Sequence, residues 1–372
     1  VHVTGRLPSR YLPQINGVEK IDDYTVRVTL SEPNPSVIAW FADYTMSILD
    51  SKEIQKHIVE YDGMSDHGWT WLNKEAHDAG TGPYMIKEFV PMEKYLIEKN
   101  PDYWGGPPEF NLPEPKIDYI RFLPVQEPTD AKMKLFRGDL QICSDLDPPL
   151  YMSLQMPDAV AAGITTINTR GNQFIRLQMH SWKGPLKDWR VRLAIKKAIN
   201  YTAIAEDVMQ GTATKSVGAF MPGSYLWEET ANYFKDAEYD EANALLDEAE
   251  ADGVYERESE NTRFSIDIIV RNTLRYGVNF ADVSLQIVKD LANVGINARL
   301  KVYHMAQVDA IYEDPEHPEM MTADPGHLID LYEPPSWLYS RMFYHWDKFD
   351  GWNETSQSNI ADIISKMKTL RS

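Results

Sequence analysis

The chain has 372 residues, of which 43% are hydrophobic and 25% are charged, as in ordinary globular proteins. This length exceeds the size at which a single hydrophobic core stops growing, so we expect two or more lobes, each with its own interior. Lys and Arg number 37 against 56 Asp and Glu, and the net charge of −19 excludes nucleic acid as a partner because it would repel a phosphate backbone.

Strands are predicted where β-branched and aromatic residues cluster between turn residues in the first part of the chain. The run TVRVTL alternates apolar and polar residues as a half-buried hairpin strand does, and SEPNPS ends it. We therefore expect the first 170 residues to be mainly sheet, with strands over 18–21, 25–30, 84–90, 94–98, 116–122 and 139–143.

A helix is predicted after residue 188, where apolar residues begin to recur at helical spacing. Asp188 is placed to cap it. The side chains that fall on its apolar stripe, and that we expect in the core, are Val191, Ala194, Ile195, Ala198 and Ile199.

Two more helices are predicted further along the chain. The phrase YDEANALLDEAEADG has acidic residues opposite an apolar stripe, and Gly253 suits its C-terminal cap. A third helix over about 280–294 ends at Gly295 and precedes the strand INARLKVY, so a second α/β lobe is expected. The apolar stripe of the second helix consists of Ala242, Leu245, Leu246 and Ala249.

No metal or cofactor site is predicted. The lone Cys143 excludes an internal disulfide and a cysteine metal cluster. His57, His67 and His77 are ten residues apart in a polar stretch, which is typical of exposed histidines rather than of metal ligands. The phrases GTGPY and WGGPP lack the lysine and the strand-to-helix context of phosphate-binding loops, so they predict turns.

No catalytic residues are predicted either. The chain has neither a GxSxG nucleophile elbow nor an HExxH zinc motif. Carboxylates are abundant in an acidic protein, so Asp22, Asp23 and Glu32 cannot be singled out as an acid and a base. We therefore expect a protein that is not an enzyme.

Five phrases carry a family resemblance because they occur together in one order. Each phrase alone is weak evidence for a family, since a capped helix or a turn is common in any protein. Together they resemble the successive signatures of the solute-binding proteins that serve oligopeptide, dipeptide and nickel ABC importers. The phrases are EKIDDYTVRVTLSEPNP, GTGPYMIKEFVPMEKYLIEKNPDYW, KGPLKDWRVRLAIKKAIN, YDEANALLDEAEADG and DLYEPPSWL.

Most of these phrases consist of residues for which we expect a structural role. In DWRVR the Asp caps a helix, while Arg190 and Arg192 flank a buried valine and are expected to pair with carboxylates for structural reasons. DLYEPPSWL differs, because it places an acidic residue beside aromatic faces and a Pro-rich turn, a mixture that suits ligand capture. From the residues alone, a turn-capping Asp is the alternative interpretation.

The resemblance implies specific ligand contacts. In peptide-binding members the matching Asp pairs with the terminal ammonium of the ligand, which implies that role for Asp330. It also implies main-chain hydrogen bonds along the preceding strand, here DPGHLI over 324–329, where His327 replaces a larger residue. The predicted ligand contacts are Asp330, His327, Gly326, Leu328, Tyr332 and Trp337.

The fold implied by the resemblance is α/β, a two-lobed periplasmic-binding-protein fold with an extra sheet-rich subdomain and a hinged cleft. We expect residues 1–94 to form the extra subdomain of the first lobe, 95–204 another part of that lobe, and 205–372 the second lobe. Family members have further segments before VEKIDDYTV and after IADIISKMKTLRS, so we expect this chain to be truncated at both ends, without the C-terminal return to the first lobe.

The function implied is that of a monomeric, extracytoplasmic component that captures a peptide and delivers it to an ABC permease in the membrane, with no cofactor. Three alternatives stay open. The ligand could be a nickel chelate, an oligosaccharide or a signalling peptide, the protein could be a hydrolase acting through carboxylates, or it could serve as a receptor partner or chaperone, since one fold hosts several functions.

Overall fold

A computed structural model of the chain shows a first unit rich in strands and a second unit in which helices pack on a sheet, divided between Gln126 and Glu127. The structure describes residues 15–31, 33, 37, 47–61, 63–74, 77–91, 93–106, 108–110, 112, 114–125, 127–169, 175–180, 183–215, 235–272, 274, 277–304, 307–308, 311 and 320–325.

A hairpin begins the described part of the first unit. Strands β1 (Ile15–Lys20) and β2 (Val26–Leu30) pair antiparallel, as the alternating sequence predicted. The carboxylate of Asp22 accepts a hydrogen bond from the backbone N–H of Tyr24 at 2.7 Å and so closes the turn.

The hairpin is less buried than its sequence predicted. On the apolar face of β2, Val28 and Leu30 are partly buried, but Val26 is 62% exposed. On β1, Val18 is 67% exposed. The prediction of a half-buried strand is therefore confirmed for one half of β2 and wrong for the other.

Short elements follow the hairpin. Helix α1 (Ser51–Gln55) is capped by Asp50, and β3 (Glu60–Tyr61) pairs with β4 (Met64–Ser65). A π-helical turn occupies Thr70–Lys74.

A three-stranded antiparallel sheet completes the first unit. Its order is β5 (Tyr84–Val90), β6 (Lys94–Lys99) and β7 (Tyr119–Phe122), and all three strands overlap predicted ones. Phe89 and Tyr95 are paired in register and pack edge to face, with ring centroids 5.9 Å apart.

The second unit opens with three short helices, each beginning at a proline. The fixed φ and missing N–H of proline suit the first helical position. The helices are α2 (Pro128–Arg137), α3 (Pro148–Ser153) and α4 (Pro157–Ala161).

The prediction of a strand over 139–143 is wrong. Gly138 ends α2 in the left-handed conformation, with φ of +75°, and the backbone N–H of Leu140 donates back to the carbonyl of Lys134. This helix cap turns the chain into an irregular segment in which Ile142 is 84% exposed.

A four-stranded mixed sheet forms the centre of the second unit. Its strands are β8 (Ile175–Met179), β9 (Phe264–Arg271), β10 (Ile296–Tyr303) and β11 (Met320–Pro325). The order is β10-β9-β11-β8, with β10, β9 and β11 parallel and β8 antiparallel to β11.

The helices of this unit pack on one face of the sheet. The predicted helices are confirmed, and the predicted strand INARLKVY is β10 over its full length. All five predicted stripe residues of the first helix are buried, with Ile199 just after the end of α5. In α7 Ala242, Leu246 and Ala249 are fully buried and Leu245 is partly buried. The helices are α5 (Trp189–Ala198), α6 (Tyr201–Ala203), which continues into a π-helical turn at Ile204–Val208, α7 (Tyr239–Ala251) and α8 (Phe280–Ala292).

A buried carboxylate joins α8 to the junction of α5 and α6. Asp290, 3% exposed, accepts hydrogen bonds of 2.9 Å from the backbone N–H of Asn200 and from Nε2 of Gln286. Burial raises the pKa of Asp290 above its ordinary value, and the hydrogen bond from Asn200 opposes that rise.

The lobe boundaries expected after residues 94 and 204 stay predictions. Strand β8 and helix α5 share their sheet and their hydrophobic core with β9, β10 and α7, and the two compact units divide at residue 126.

Candidate functional site

The predicted ligand contacts lie outside the described residues, but the strand that leads to them does not. Strand β11 is described as far as Pro325, one residue before Gly326 and five before Asp330. The structure therefore describes the strand that precedes the predicted site, and the roles of the site residues stay predictions. The contacts beyond Pro325 are Gly326, His327, Leu328, Asp330, Tyr332 and Trp337.

Strands β9 and β11 are neighbours over a short length only. Their parallel register begins with Met320 opposite Asp267 and ends with Thr322 opposite Ile269. Both strands continue beyond this point, so their carboxyl ends are unpaired with each other in the described part of the chain.

At their carboxyl ends, β9 and β11 each remain paired with the strand on their other side. Strand β9 stays in register with β10 as far as Arg271, opposite Tyr303, and β11 stays in register with β8 as far as Pro325, opposite Ile175. At their carboxyl ends the four strands are therefore in register as two pairs, β10 with β9 and β11 with β8.

The carboxyl ends of β9 and β11 lie at a position where α/β sheets bind ligands. In open α/β sheets, ligands bind outside the carboxyl ends of parallel strands, where neighbouring strands lead apart. The backbone of 323–325 is in register with β8 alone among the described strands, so its other edge can accept an extended ligand by strand addition. Pro325 has no N–H to donate, so donors for the ligand must come from other positions.

The buried carboxylate of β9 where its register with β11 begins is already paired with cations. Asp267, 4% exposed, accepts a hydrogen bond from Nε of Arg299 at 2.7 Å and lies 2.8 Å from Nζ of Lys301. The hydrogen bond to Asp267 raises the pKa of Lys301 above its ordinary value. Asp267 therefore stabilises the sheet, and a cationic ligand group needs another carboxylate.

Polar side chains follow β9 and β10 where these strands end. The side-chain amide of Asn272 and the imidazole of His304 are in contact, with Nδ2 and Nδ1 3.1 Å apart. The sequence analysis missed this pair. Its signal was a polar residue directly after each of two apolar strands, at the edge where parallel strands present ligand-binding residues.

Both arginines of the DWRVR phrase bind groups of the scaffold, as predicted, but the expected pairing with a carboxylate is found for Arg190 and not for Arg192. Arg190 donates to Asp188 (Nη2 to Oδ2, 2.8 Å) and to Asp252 (Nη1 to Oδ2, 2.6 Å). Arg192 donates through Nη1 to the carbonyls of Leu186 and Lys187.

Two of the three histidines spaced by ten residues pack on an aromatic ring. The rings of His57 and His77 both stack on Trp71, with centroid distances of 4.0 Å and 4.9 Å. His67 has a positive φ of 49° in a turn. Within the described residues, no three His, Cys, Asp or Glu side chains are grouped so that they could hold a metal ion.

Comparison with known protein families gives a match over most of the chain. The model described as "Bacterial extracellular solute-binding proteins, family 5 Middle" matches residues 3–348. Di/tripeptide-binding protein 3 of Pseudomonas aeruginosa (strain UCBPP-PA14) is 27% identical over 346 residues, which are 92% of this chain and 58% of that protein. The chain thus spans little more than half the length of the curated relatives it matches.

Solved structures share the fold. The oligopeptide-binding protein AppA from Bacillus subtilis, in complex with a nonapeptide, has a TM-score of 0.70 at 16% identity, covering 99% of this chain and 70% of that one. NikA from Staphylococcus aureus in complex with Ni(L-His)2 has a TM-score of 0.67 at 16% identity, covering 98% and 68%. The predicted α/β periplasmic-binding-protein fold is confirmed. Among the described residues, every helix is too short or too polar to cross a bilayer.

Proposed function

Because this chain belongs to the family 5 bacterial extracellular solute-binding proteins, we propose that it is part of a substrate-binding protein that captures peptides. That protein hands them to the membrane permease of an ABC importer, and it binds its ligand without changing it chemically. The relative named above is a di/tripeptide-binding protein.

The observation that carries this proposal is the end of the register between β9 and β11 at Thr322. Beyond Thr322 the edge of β11 is not in register with β9, and the same strand leads into the predicted ligand-binding segment. A peptide recognised through its main chain can lie along such an edge, and this mode of binding tolerates many side chains.

Asp330 is the proposed contact for the terminal ammonium of the peptide. Asp267 is already paired with Arg299 and Lys301, so it is a poor partner for the ammonium, and this supports the assignment to Asp330. In the same proposal the backbone of 326–328 pairs with the main chain of the ligand, while Tyr332 and Trp337 supply flat apolar surfaces for its side chains.

Replacing Asp330 by Asn tests the assignment. An ionic hydrogen bond contributes about 1.5–3 kcal/mol, so Asp330→Asn should weaken binding of the dipeptide Ala-Leu by roughly 10- to 100-fold. The change should have little effect on N-acetyl-Ala-Leu, which has no ammonium group. Isothermal titration calorimetry on the full-length protein measures both affinities.

A matched control is Asp282→Asn, an exposed carboxylate in the first turn of α8, which should leave both affinities unchanged. Equal affinities of the wild type and Asp330→Asn for Ala-Leu would show that Asp330 does not hold the ammonium. Cleavage of Ala-Leu during the titration would point instead to a hydrolase.

A nickel chelate or an oligosaccharide is less well supported as the ligand than a peptide. Two curated relatives are named for dipeptides or tripeptides, while the nickel-bound structure is similar to this chain in fold alone. Native mass spectrometry of the purified protein separates these ligands, because a carried-through peptide, sugar or metal chelate differs in mass.

The proposed partners and location follow from the same family. The protein is proposed to act outside the cytoplasm, as the family description states for its members, and to meet the permease as a monomer. Sedimentation equilibrium of the full-length protein with and without Ala-Leu checks the monomeric state.

A further inference from the structure

Asp290 of α8 is a buried carboxylate without the cationic partner that such a group usually has. Its exposure of 3% is close to the 4% of Asp267 in β9. Asp267 lies 2.7 Å from Nε of Arg299 and 2.8 Å from Nζ of Lys301, whereas Asp290 forms no ion pair with any residue that the structure describes. A charge that leaves water without a partner is costly, so burial favours the protonated form of Asp290 and raises its pKa above the ordinary 3.8.

The position of Asp290 in its helix also disfavours the charged form. Helix α8 ends at Ala292, so Asp290 lies in the last turn, where the unpaired carbonyls give the end of the helix a partial negative charge. The ammonium of the adjacent Lys289 lowers the pKa of Asp290, but burial has the larger effect.

The other elements that pack near α8 hold their charged side chains in pairs or turn them away. Lys197 of α5 pairs with Glu238 and Glu241. The charged residues of β9 and β10 lie on the opposite face of the sheet, because they alternate with the apolar side chains that face the helices. No described hydrogen bond or ion pair joins Asp290 to the remaining titratable groups of α5, α6, the π-helical turn and the start of α7, which are Lys196, Tyr201, Glu206, Asp207, Lys235, Asp236 and Tyr239.

Both hydrogen bonds that Asp290 accepts come from neutral donors. Its Oδ2 accepts from the backbone N–H of Asn200 and its Oδ1 from Nε2 of Gln286, each at 2.9 Å. Asn200 lies between α5 and α6, so the carboxyl group ties the end of α8 to that junction. A proton on Oδ1 would leave the first bond intact but would set the new O–H donor against the N–H donor of Gln286.

The amide of Gln286 can remove this conflict. Its oxygen and nitrogen occupy equivalent positions on a planar group, so a half-turn of the amide replaces the donor Nε2 by the acceptor Oε1. Gln286 and Asp290 are four residues apart on one helix, so their side chains remain neighbours after the half-turn.

We propose that Asp290 and Gln286 form a proton-binding pair that holds α8 to the junction of α5 and α6 in both charge states. As the pH falls, Oδ1 of Asp290 takes a proton from water, and the amide of Gln286 turns so that Oε1 accepts a hydrogen bond from the new O–H. The second unit therefore gains stability in mild acid. This response to pH operates whether or not the protein binds peptides.

Asp290→Asn imitates the protonated form, because its amide can accept from Asn200 and donate to Gln286. Folding raises the pKa of Asp290, so the stability that protonation contributes is complete below 3.8 and is lost as the pH rises through the folded-state value. Urea unfolding of the full-length protein should show the variant more stable than the wild type at pH 8, by about tenfold in the folding equilibrium constant, with a difference that shrinks toward pH 4.5.

Asp282→Asn is the matched control, because it removes an exposed carboxylate from the same helix. Its stability relative to the wild type should not change in this way with pH. Equal behaviour of the two variants from pH 8 to pH 4.5 would overturn the proposal.

Carbon-13 NMR of full-length protein labelled at its aspartate carboxyl carbons measures the protonation directly. The Asp290 resonance, identified by its absence from Asp290→Asn, should titrate with a midpoint above 3.8. The side-chain amide signals of Gln286 should shift over the same pH range. A midpoint at or below 3.8 in the wild type would contradict the proposal.

Gln286→Met distinguishes a partner of both charge states from a simple donor. If the amide serves both states, its loss should destabilise the protein by a similar factor at pH 8 and at pH 4.5 and leave the Asp290 midpoint near its wild-type value. If Gln286 only donates to the carboxylate, the loss should be confined to high pH and the midpoint should rise. That second result would rule out the pair as proposed.

Discussion

At the scale of single residues, Asp188 shows how one carboxylate fixes the start of a core helix. Its Oδ1 accepts from the backbone N–H of Arg190 at 2.7 Å, and both of its oxygens accept from the guanidinium of the same residue. The hydrogen bonds from Arg190 hold the pKa of Asp188 below its ordinary value of 3.8. Only the ionised form makes all of these contacts, so they stabilise the folded chain by an amount that depends on pH.

Asp188→Ala should lower the free energy of unfolding by roughly 1–2 kcal/mol at pH 7, the usual effect of losing an N-cap side chain. Because the folded-state pKa of Asp188 is depressed, this stabilisation is complete above the ordinary pKa of 3.8 and is lost as the pH falls through the lower folded-state value. Urea unfolding followed by circular dichroism should show a constant difference from pH 7 to 5 that shrinks below about pH 4.

Asp252→Ala is the matched control, because it removes the exposed partner of Arg190 and keeps the cap. We expect a loss of at most about 1 kcal/mol for this surface ion pair. If the two variants were destabilised equally at every pH, the cap would not be the source of the effect.

At the scale of elements, the segment before α8 passes very close to the loop before α3. Gly277 has a φ of +73°, and a Cβ at this position would lie 2.5 Å from the backbone carbonyl oxygen of Leu146. Gly253, after α7, has a similar φ of +75° but no atom within 4 Å of the same point. The two glycines therefore separate the cost of the left-handed conformation from the cost of a backbone clash.

Gly277→Ala should destabilise the protein more than Gly253→Ala. A left-handed alanine costs about 1–2 kcal/mol in either place, and at Gly277 the backbone must also move away from Leu146. Thermal unfolding of both variants measures the difference. Equal melting temperatures would show that the approach of these two segments relaxes without cost.

At the scale of the whole molecule, ligand binding is expected to couple to stability. The described residues form two compact units, and the predicted ligand contacts follow directly on the central sheet of the second. A ligand that binds the folded protein and not the unfolded chain shifts the unfolding equilibrium by mass action. The size of that shift depends on the ratio of ligand concentration to the dissociation constant.

Ala-Leu at one hundred times its dissociation constant should therefore raise the free energy of unfolding of the full-length protein by about 2.7 kcal/mol. Differential scanning calorimetry should show a higher melting temperature with Ala-Leu and a smaller rise with N-acetyl-Ala-Leu at the same concentration. A rise of the same size with both would mean that stabilisation does not depend on the ammonium group.

The sequence by itself determined the local elements of this protein. The stripes of α5 and α7, the extent of α8, the cap at Asp188 and the glycines at 253 and 295 were predicted correctly, because helical period, caps and left-handed turns depend on residues within a few positions of one another. The family phrases also predicted the fold class. The roles of Asp330 and its neighbours remain predictions, and they rest on the sequence.

Only the tertiary structure decided which elements became neighbours. The sequence did not reveal that β11 is inserted between β9 and β8, that the register of β9 with β11 ends at Thr322, or that Asn272 meets His304 across 32 positions. It also predicted a strand over 139–143 where a helix cap turns the chain away. Strand order and burial depend on contacts between distant segments, which no local pattern specifies, and the proposed ligand site is built from such contacts.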